Sequence, residues 1–318
     1  MASKCNEILR QVQTVIIGKD EILAKVLMAI LSGGHILLED VPGVGKTTLA
    51  LAFAKTLGIH SKRMQFTSDS MPSDVIGFSV YDKAGGALAY KPGAAMTNLL
   101  LADEINRTSS KTQSALLEVM EEGHIPLDGV PRPVPQPFIV IATQNPVGSA
   151  GTQVLPPAQL DRFMIRLTMG YPDFESQVNI LRDRQTANPL DTLHPVTNAA
   201  ELTAMKRQTD EIFVADSIYE YITRLAQASR SHPAIQLGLS PRAALAVCRM
   251  AKARAFVMGR DYVVPEDVSY VFPEVGSHRL LLSSKARLAE RSAADLLAEI
   301  LEKTAAPVSG SSGRGSRR

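Results

Sequence analysis

Cysteine is scarce. The 318 residues hold two, Cys5 and Cys248, far apart in the chain. No disulfide framework follows from them, and no Cys/His spacing suggests a zinc site. Two reduced thiols in a cytosolic chain are the expectation. Also missing is any apolar run long enough to span a bilayer. The opening Met1-Ala2-Ser3-Lys4-Cys5-Asn6-Glu7 has no charged-then-apolar leader pattern, so a cytoplasmic protein is expected. Net charge is small as well. The chain carries +2, and the last ten residues hold three arginines and no acid, leaving −1 for the rest. A near-neutral body argues against nucleic acid as an obligatory partner. No basic stretch interleaved with aromatics offers a track for a single strand.

What is present fits an ordinary globular chain of about two domains. Hydrophobic residues make up 45% and charged residues 21%, enough to bury a sizeable core. The chain is organised around Glu39-Asp40-Val41-Pro42-Gly43-Val44-Gly45-Lys46-Thr47-Thr48. An apolar run, His35-Ile36-Leu37-Leu38, precedes it and a helix-like run, Thr48 to Lys55, follows. Strand, glycine turn and helix in that order are the setting of a phosphate-binding P-loop. Gly43 and Gly45 allow successive amides to face one anion, and the helix adds its positive end. In this reading Pro42 to Thr48 bind the nucleotide, Lys46 reaches the β- and γ-phosphates, and the Thr47 hydroxyl holds magnesium. The usual pattern opens with glycine, and Asp40 stands there instead. It lies at the strand end, outside the Gly43–Thr47 core, where the motif tolerates it.

Helices are expected over residues 3–16 and 22–32, and the P-loop helix to about Leu57, with Gly58 ending it. Apolar strands follow at 35–39, 63–67, 98–104, 138–145 and 164–169. Helices lie between them at 109–121 and 157–163. Residues 78–93, around Gly85-Gly86, and 123–136, around Gly129, read as two small hairpins. Five apolar strands alternating with helices predict a parallel α/β sheet. Beyond Asp173 the pattern turns helical, at 174–184, 216–230, 241–257, 265–280 and 286–302, so a boundary is expected near Gly170-Tyr171-Pro172. The last residues read as a flexible basic tail.

Asp103-Glu104 closes the strand 98–104. An aspartate there can bind the coordination sphere of magnesium through water, and the next glutamate can orient and deprotonate the attacking water. Asn145 ends the following strand, where ligands of parallel sheets bind. On residues alone it reads equally as a site amide and as part of a polar turn.

The ordered set of stretches resembles the MoxR family of the AAA+ superfamily. It comprises Glu39 to Thr47, Gln65-Phe66-Thr67, Pro72 to Gly77, Leu101 to Arg107, Gln113 to Glu122, Ala142 to Pro146, Gln159 to Phe163 and Gly238 to Arg242. The similarity spans about residues 8–285. It implies a P-loop core at 1–170 whose five-stranded parallel sheet has the order 5-1-4-3-2. An all-α lid at 171–304 and a disordered basic tail at 305–318 complete the expected organisation. It also implies roles. Lys46 and Thr47 are similar to Walker A, Asp103 and Glu104 to Walker B, and Asn145 to sensor 1. Arg162 resembles an arginine finger reaching a neighbouring subunit's nucleotide, with Arg166 a weaker substitute; Arg242 resembles sensor 2. Ile16, Ile17 and Gly18 would pack near the adenine. The hairpins resemble client-remodelling inserts, with Tyr81, Leu88, Tyr90 and His124 available to a polypeptide.

The resemblance implies a magnesium-dependent ATPase forming a homo-oligomer, a hexamer in this family. It would act as a chaperone-like remodelling factor on a protein client, with a partner bearing a von Willebrand factor A-type (VWA) domain, often in metalloprotein assembly. Three alternatives stand beside it: a nucleotide-binding switch or scaffold with negligible hydrolysis, a DNA-acting motor, and a chelatase-like motor. Intact Glu104 and Asn145 disfavour the first, and the neutral body disfavours the second.

Overall fold

The computed structural model describes residues 2–41, 43–83, 86–145, 153, 155–183 and 188–307. Pro42, Gly85 and most of the expected tail lie outside them. By contact density the chain forms two compact units, Met1–Thr209 and Asp210–Arg318.

The first unit opens with helices α1 (Ala2–Gln13) and α2 (Asp20–Leu31), then strand β1 (Ile36–Glu39) and helix α3 (Lys46–Thr56). There follow β2 (Ser61–Gln65), α4 (Pro72–Ile76), β3 (Phe78–Asp82), β4 (Ala87–Lys91) and β5 (Leu99–Asp103). A single 3-10 turn (Ile105–Arg107) leads to α5 (Ser110–Glu122). Then come β6 (His124–Leu127), β7 (Val130–Pro133), β8 (Ile139–Gln144), α6 (Pro157–Leu160), β9 (Ile165–Leu167), α7 (Phe174–Asp183) and α8 (Ala199–Asp210).

Five of these strands form one sheet in the order β2-β5-β8-β1-β9, every pairing parallel. Counted along the chain this is the 5-1-4-3-2 order. Every residue of β5 and β8 is buried, as expected of strands covered on both faces. Edge strand β2 keeps polar residues on its outer side. Leu37, Leu100, Ala102, Val140, Leu116, Leu117 and Phe163 belong to one continuous core that clamps α5 to the sheet. Ser109 caps α5 as the sequence predicts, its hydroxyl accepting the Thr112 N–H at 3.3 Å. Register then places the strand ends side by side: Gln65 opposite Asp103, and Leu38 opposite Thr143.

Both expected hairpins form. Asp128 and Gly129 have φ of 55° and 71°, the two positive values that a tight two-residue hairpin turn requires. The hairpins are joined, because Ser79 donates to Asp128 and the Arg132 guanidinium stacks 4.5 Å from the Tyr90 ring centre. Tyr81 and Leu88, paired across the strands, stay exposed. Tyr90 is turned inward and donates to Ile76 O at 2.7 Å.

The boundary expected near Gly170-Tyr171-Pro172 falls inside the first unit. Residues 188–209 adhere to the core through backbone partners. Val196 N donates to Thr56 O at 2.8 Å, and Lys4 and Lys55 donate to Val196 O and Leu190 O, each at 3.0 Å. Helix α8, which the sequence reading leaves out, belongs to this segment.

The second unit is helical: α9 (Asp216–Ser231), α10 (Pro241–Val257), α11 (Pro265–Gly276), α12 (Ser284–Leu288) and α13 (Ala293–Lys303). A short antiparallel ribbon, β10 (Ile235–Leu237) with β11 (Leu281–Leu282), ties two of its loops. The single helix expected at 286–302 divides, because Glu290 takes a left-handed φ of 53° and Ser292 starts a new capped helix. Among the described residues, no helix is long and apolar enough to cross a membrane.

Candidate functional site

Chemistry gathers where β1, β5 and β8 end. Gly43 and Gly45 have φ of 88° and 95°, and no atom stands within 4 Å of a Cβ built on either. Glycine is therefore required by backbone conformation and not by space. The turn delivers the chain into α3 at Lys46. Its side chain is buried, and its ammonium donates to Asp40 O at 2.6 Å and Val41 O at 3.1 Å. Burial lowers its pKa, while Asp40, Asp103 and Glu104 act to raise it. A cation resting on two carbonyls can exchange them for phosphate oxygens.

Asp40 has a defined place. One carboxylate oxygen accepts the Val41 N–H at 2.8 Å and the other accepts the Gly170 N–H at 2.6 Å. The departure from a motif glycine is thus a buried carboxylate with both oxygens hydrogen-bonded.

Asp103 and Glu104 point into one polar network. Asp103 accepts from the Thr143 hydroxyl at 2.6 Å and from both Nε and Nη2 of Arg63, at 3.1 and 2.8 Å. The Thr47 hydroxyl lies 3.4 Å from Asp103 Oδ2. The hydroxyl and the carboxylate are the oxygens that would serve a magnesium ion here, the aspartate through water, with water and phosphate supplying the rest. Among the described residues, no three His, Cys, Asp or Glu side chains converge as a metal cage, and a magnesium held this way needs none.

Glu104 adopts φ 56°, ψ 49°, a left-handed conformation that is uncommon for a residue with a side chain. Its N–H is held by the Thr143 hydroxyl at 2.9 Å. Its carboxylate accepts from Asn145 Nδ2 at 3.0 Å and Gln65 Nε2 at 2.9 Å, and Arg107 Nε sits 2.9 Å away. Asn145 thus stands within hydrogen-bond reach of Glu104.

A cavity of about 300 Å³ adjoins the loop. Ile16 and Ile17 line it on one side, Gly43 to Gly45 on another, and Met169, Tyr171 and Pro172 on a third. Gly18 does not line it. A Cβ there would fall 2.3 Å from Ser176 Oγ, and φ is 71°, so Gly18 seats the loop against α7. Thr48 lies in the first turn of α3 behind Lys46 and Thr47.

Three predicted arginines lie on other elements. Arg162 follows α6 and pairs with Glu121 at 3.0 Å. Arg242 lies in the second unit, in the first turn of α10 behind the cap of Ser240. Arg166 pairs with Glu39 at 3.1 Å. Sequence reasoning missed Arg63, Arg107 and Thr143, and assigned Gln65 no role. Thr143, two residues before Asn145 on the same strand, had a local signal. Arg63 and Gln65 reach the acids only through the register of β2 on β5, which adjacent residues do not encode.

A P-loop feeding α3, acids ending the third strand and an amide ending the fourth, on a 5-1-4-3-2 sheet, define an AAA+ ATPase core. Comparison with known proteins agrees. The model of the ATPase family associated with various cellular activities (AAA) matches residues 35–165, and an AAA lid domain model matches residues 227–300. The chain is 45% identical to YeaC of Bacillus subtilis (strain 168), itself uncharacterized, over 94% of both chains. It is 37% identical to Chaperone MoxR1 of Mycobacterium tuberculosis, over 93% of this chain and 81% of that one. A crystal structure of a protein assigned as an ATPase from Cytophaga hutchinsonii superposes with a TM-score of 0.89 at 35% identity, covering 96% of both chains. The chain belongs to the MoxR family of AAA+ ATPases.

Proposed function

We propose that this protein hydrolyses ATP with magnesium and uses the cycle to remodel a protein client as a chaperone. The observation that carries the reading is the juxtaposition of Glu104 and Asn145 with the Thr47–Asp103 oxygen pair beside the P-loop. Thr47 and Asp103 would hold magnesium, which supplies charge neutralisation on the phosphates. Gly43 to Gly45 and Lys46 bind the phosphates, and Ile16 and Ile17 face the base. Glu104 orients the attacking water and takes its proton, with Asn145 fixing the carboxylate. The nucleotide-binding core and the helical unit that begins at Asp210 act as the two working parts.

Arg162 works in trans in this reading. It is partnered by Glu121 rather than by the P-loop of its own chain, which supports a ring in which it reaches the neighbour's nucleotide. Arg242, on the lid, reports the γ-phosphate. A hexameric homo-oligomer in the cytoplasm, a VWA-domain partner and a role in assembling protein complexes or metalloproteins complete the reading. They rest on family membership and on the name of the mycobacterial relative. A second reading, a switch with negligible turnover, draws on the partners that Gln65 and Arg107 give Glu104, because a carboxylate so engaged does not accept a proton.

Phosphate release measured against protein concentration, with solution mass recorded in parallel, tests both. Specific activity is expected to rise as larger species form, and Arg162→Ala is expected to abolish that rise in the assembled state. Turnover by a monomer removes Arg162 from the site. Absent turnover in the assembled protein favours the switch.

A further inference from the structure

The P-loop and the segment after β9 are separated by 130 residues, yet one side chain holds both. Asp40 is buried. Its Oδ1 accepts the Val41 N–H at 2.8 Å, its Oδ2 accepts the Gly170 N–H at 2.6 Å, and its main-chain oxygen accepts the Lys46 ammonium at 2.6 Å. Gly170 turns the chain with a φ of 63°. Met169, Tyr171 and Pro172 on either side of that turn form one wall of the 300 Å³ cavity, and Gly43 to Gly45 form another. Hydrogen bonds from N–H groups to an ionised carboxylate are the strong ones. A glycine at this position, the usual opening of the motif, has no group with which to make them.

We propose that Asp40 is a positioning residue that ties the phosphate loop to the strap Met169–Pro172, so that the base wall of the nucleotide site is set from the phosphate end. The proposal rests on the nucleotide-site reading above. The tie has a direction. Lys46 rests on the main chain of the residue whose side chain holds Gly170. When Lys46 turns to a phosphate, Asp40 loses that partner while keeping the strap. The phosphate loop and the strap are thereby held by one residue. The strap is held a second time by Lys19, which donates to Tyr171 O at 2.9 Å.

The test compares ATP with inorganic tripolyphosphate, which lacks a base. Asp40→Gly restores the ordinary motif residue and deletes the tie, and Asp40→Asn keeps the size but sets an NH2 group against one of the two N–H donors. Affinities come from titration calorimetry in magnesium buffer, and exchange of the Gly170 amide from hydrogen-exchange mass spectrometry of the ligand-free chain. In both variants ATP affinity is expected to fall about tenfold while tripolyphosphate affinity moves less than about threefold, the loss of one charge-assisted hydrogen bond on the base side. Gly170 exchange is expected to speed up at least tenfold. Equal loss for the two ligands means Asp40 only supports the loop, and overturns the proposal. So does an unchanged ATP-to-tripolyphosphate ratio with Gly170 still protected. Failure of the wild-type protein to bind ATP overturns the nucleotide-site reading, and the tie falls with it; wild-type binding with an unaltered ratio in the variants removes the tie alone.

Discussion

Each of the two units contains an aspartate gripped by an arginine, and the two grips are built differently. In the helical unit, Arg260 meets Asp267 with two parallel hydrogen bonds, at 2.8 and 2.6 Å, and the aspartate side chain is 1% exposed. Arg254 adds a contact at 3.6 Å, and Val264 N–H caps the same carboxylate at 2.9 Å. Arg260 is held protonated above its usual range by its bonds to Asp267, while burial pulls Arg254 down. In the phosphate-loop unit, Arg63 places both donors on a single oxygen of Asp103, and the arginine side chain is 51% exposed. Asp267 has both oxygens engaged in a closed pocket. Asp103 shares its oxygens with a threonine at the rim of a cleft. The first arrangement is a finished structural element, and the second can exchange a partner.

The largest way to break this contrast is to remove the group in the cleft that the contrast treats as chemical. Glu104→Gln keeps the Asn145 bond and deletes the base. Phosphate release is expected to fall by about 100-fold or more, with ATP affinity measured by calorimetry no weaker than wild type. Turnover within tenfold of wild type would make Glu104 a capping residue like those of the helical unit.

Next comes the finished pair. Arg260→Gln leaves Asp267 buried with its weaker partner Arg254. Urea unfolding is expected to show a loss of about 3 to 4 kcal/mol, near the lower end for breaking a buried ion pair because Arg254 remains. A loss under about 1 kcal/mol would mean that Asp267 is hydrated in solution.

The phosphate-loop unit also holds a settled polar group, and it gives the comparison a pH axis. His35 is buried, its Nδ1 accepting Val140 N–H at 3.0 Å and its Nε2 donating to Met120 O at 3.0 Å. The Val140 bond requires a neutral ring with Nδ1 free to accept, whereas the Met120 bond survives protonation. Burial pushes its pKa down to about 4 from the ordinary 6.5. The unfolded chain therefore binds the proton first as pH falls. The contribution is complete above pH 6.5 and is lost between pH 6.5 and 4, up to about 3 kcal/mol. Unfolding midpoints across that window should slope downward toward acid, and His35→Gln should flatten the slope. An identical slope in the variant would assign the acid sensitivity to other groups.

How much of this was legible in the sequence follows from what is local. The P-loop, the buried strands β5 and β8, the cap at Ser109 and the pair Asp103-Glu104 are written in adjacent residues, and the ordered motifs carried the strand order through resemblance. The rest depended on distance in the chain. Helix α8 buries only Leu202 and Met205 among its apolar residues, too thin a stripe to announce itself. Its attachment to the core, and the division after Thr209, come from backbone bonds at Val196 that no pattern encodes. Asp40 looked like a departure because its partner, the Gly170 amide, is on another strand's exit. Arg63 sat in the strand window as an edge residue, and only its register against β5 turns it toward Asp103.

The smallest expected effect is the most direct test of the comparison. Arg63→Gln removes the same chemical group from an aspartate as Arg260→Gln does. If the number of hydrogen bonds to the aspartate decided the outcome, the two substitutions would cost about the same, since each arginine gives its aspartate two. Burial predicts otherwise. Water can replace a half-exposed guanidinium, and Asp103 keeps the Thr143 hydroxyl at 2.6 Å. Arg63→Gln is therefore expected to cost less than about 1 kcal/mol in the same urea experiment. Its cost should shrink further in 1 M salt, where exposed charges are screened beyond about 3 Å, while that of Arg260→Gln persists. Equal, salt-insensitive losses for the two variants would show that Asp103 is bound into the fold as firmly as Asp267, and that the cleft has no exchangeable partner to offer a metal.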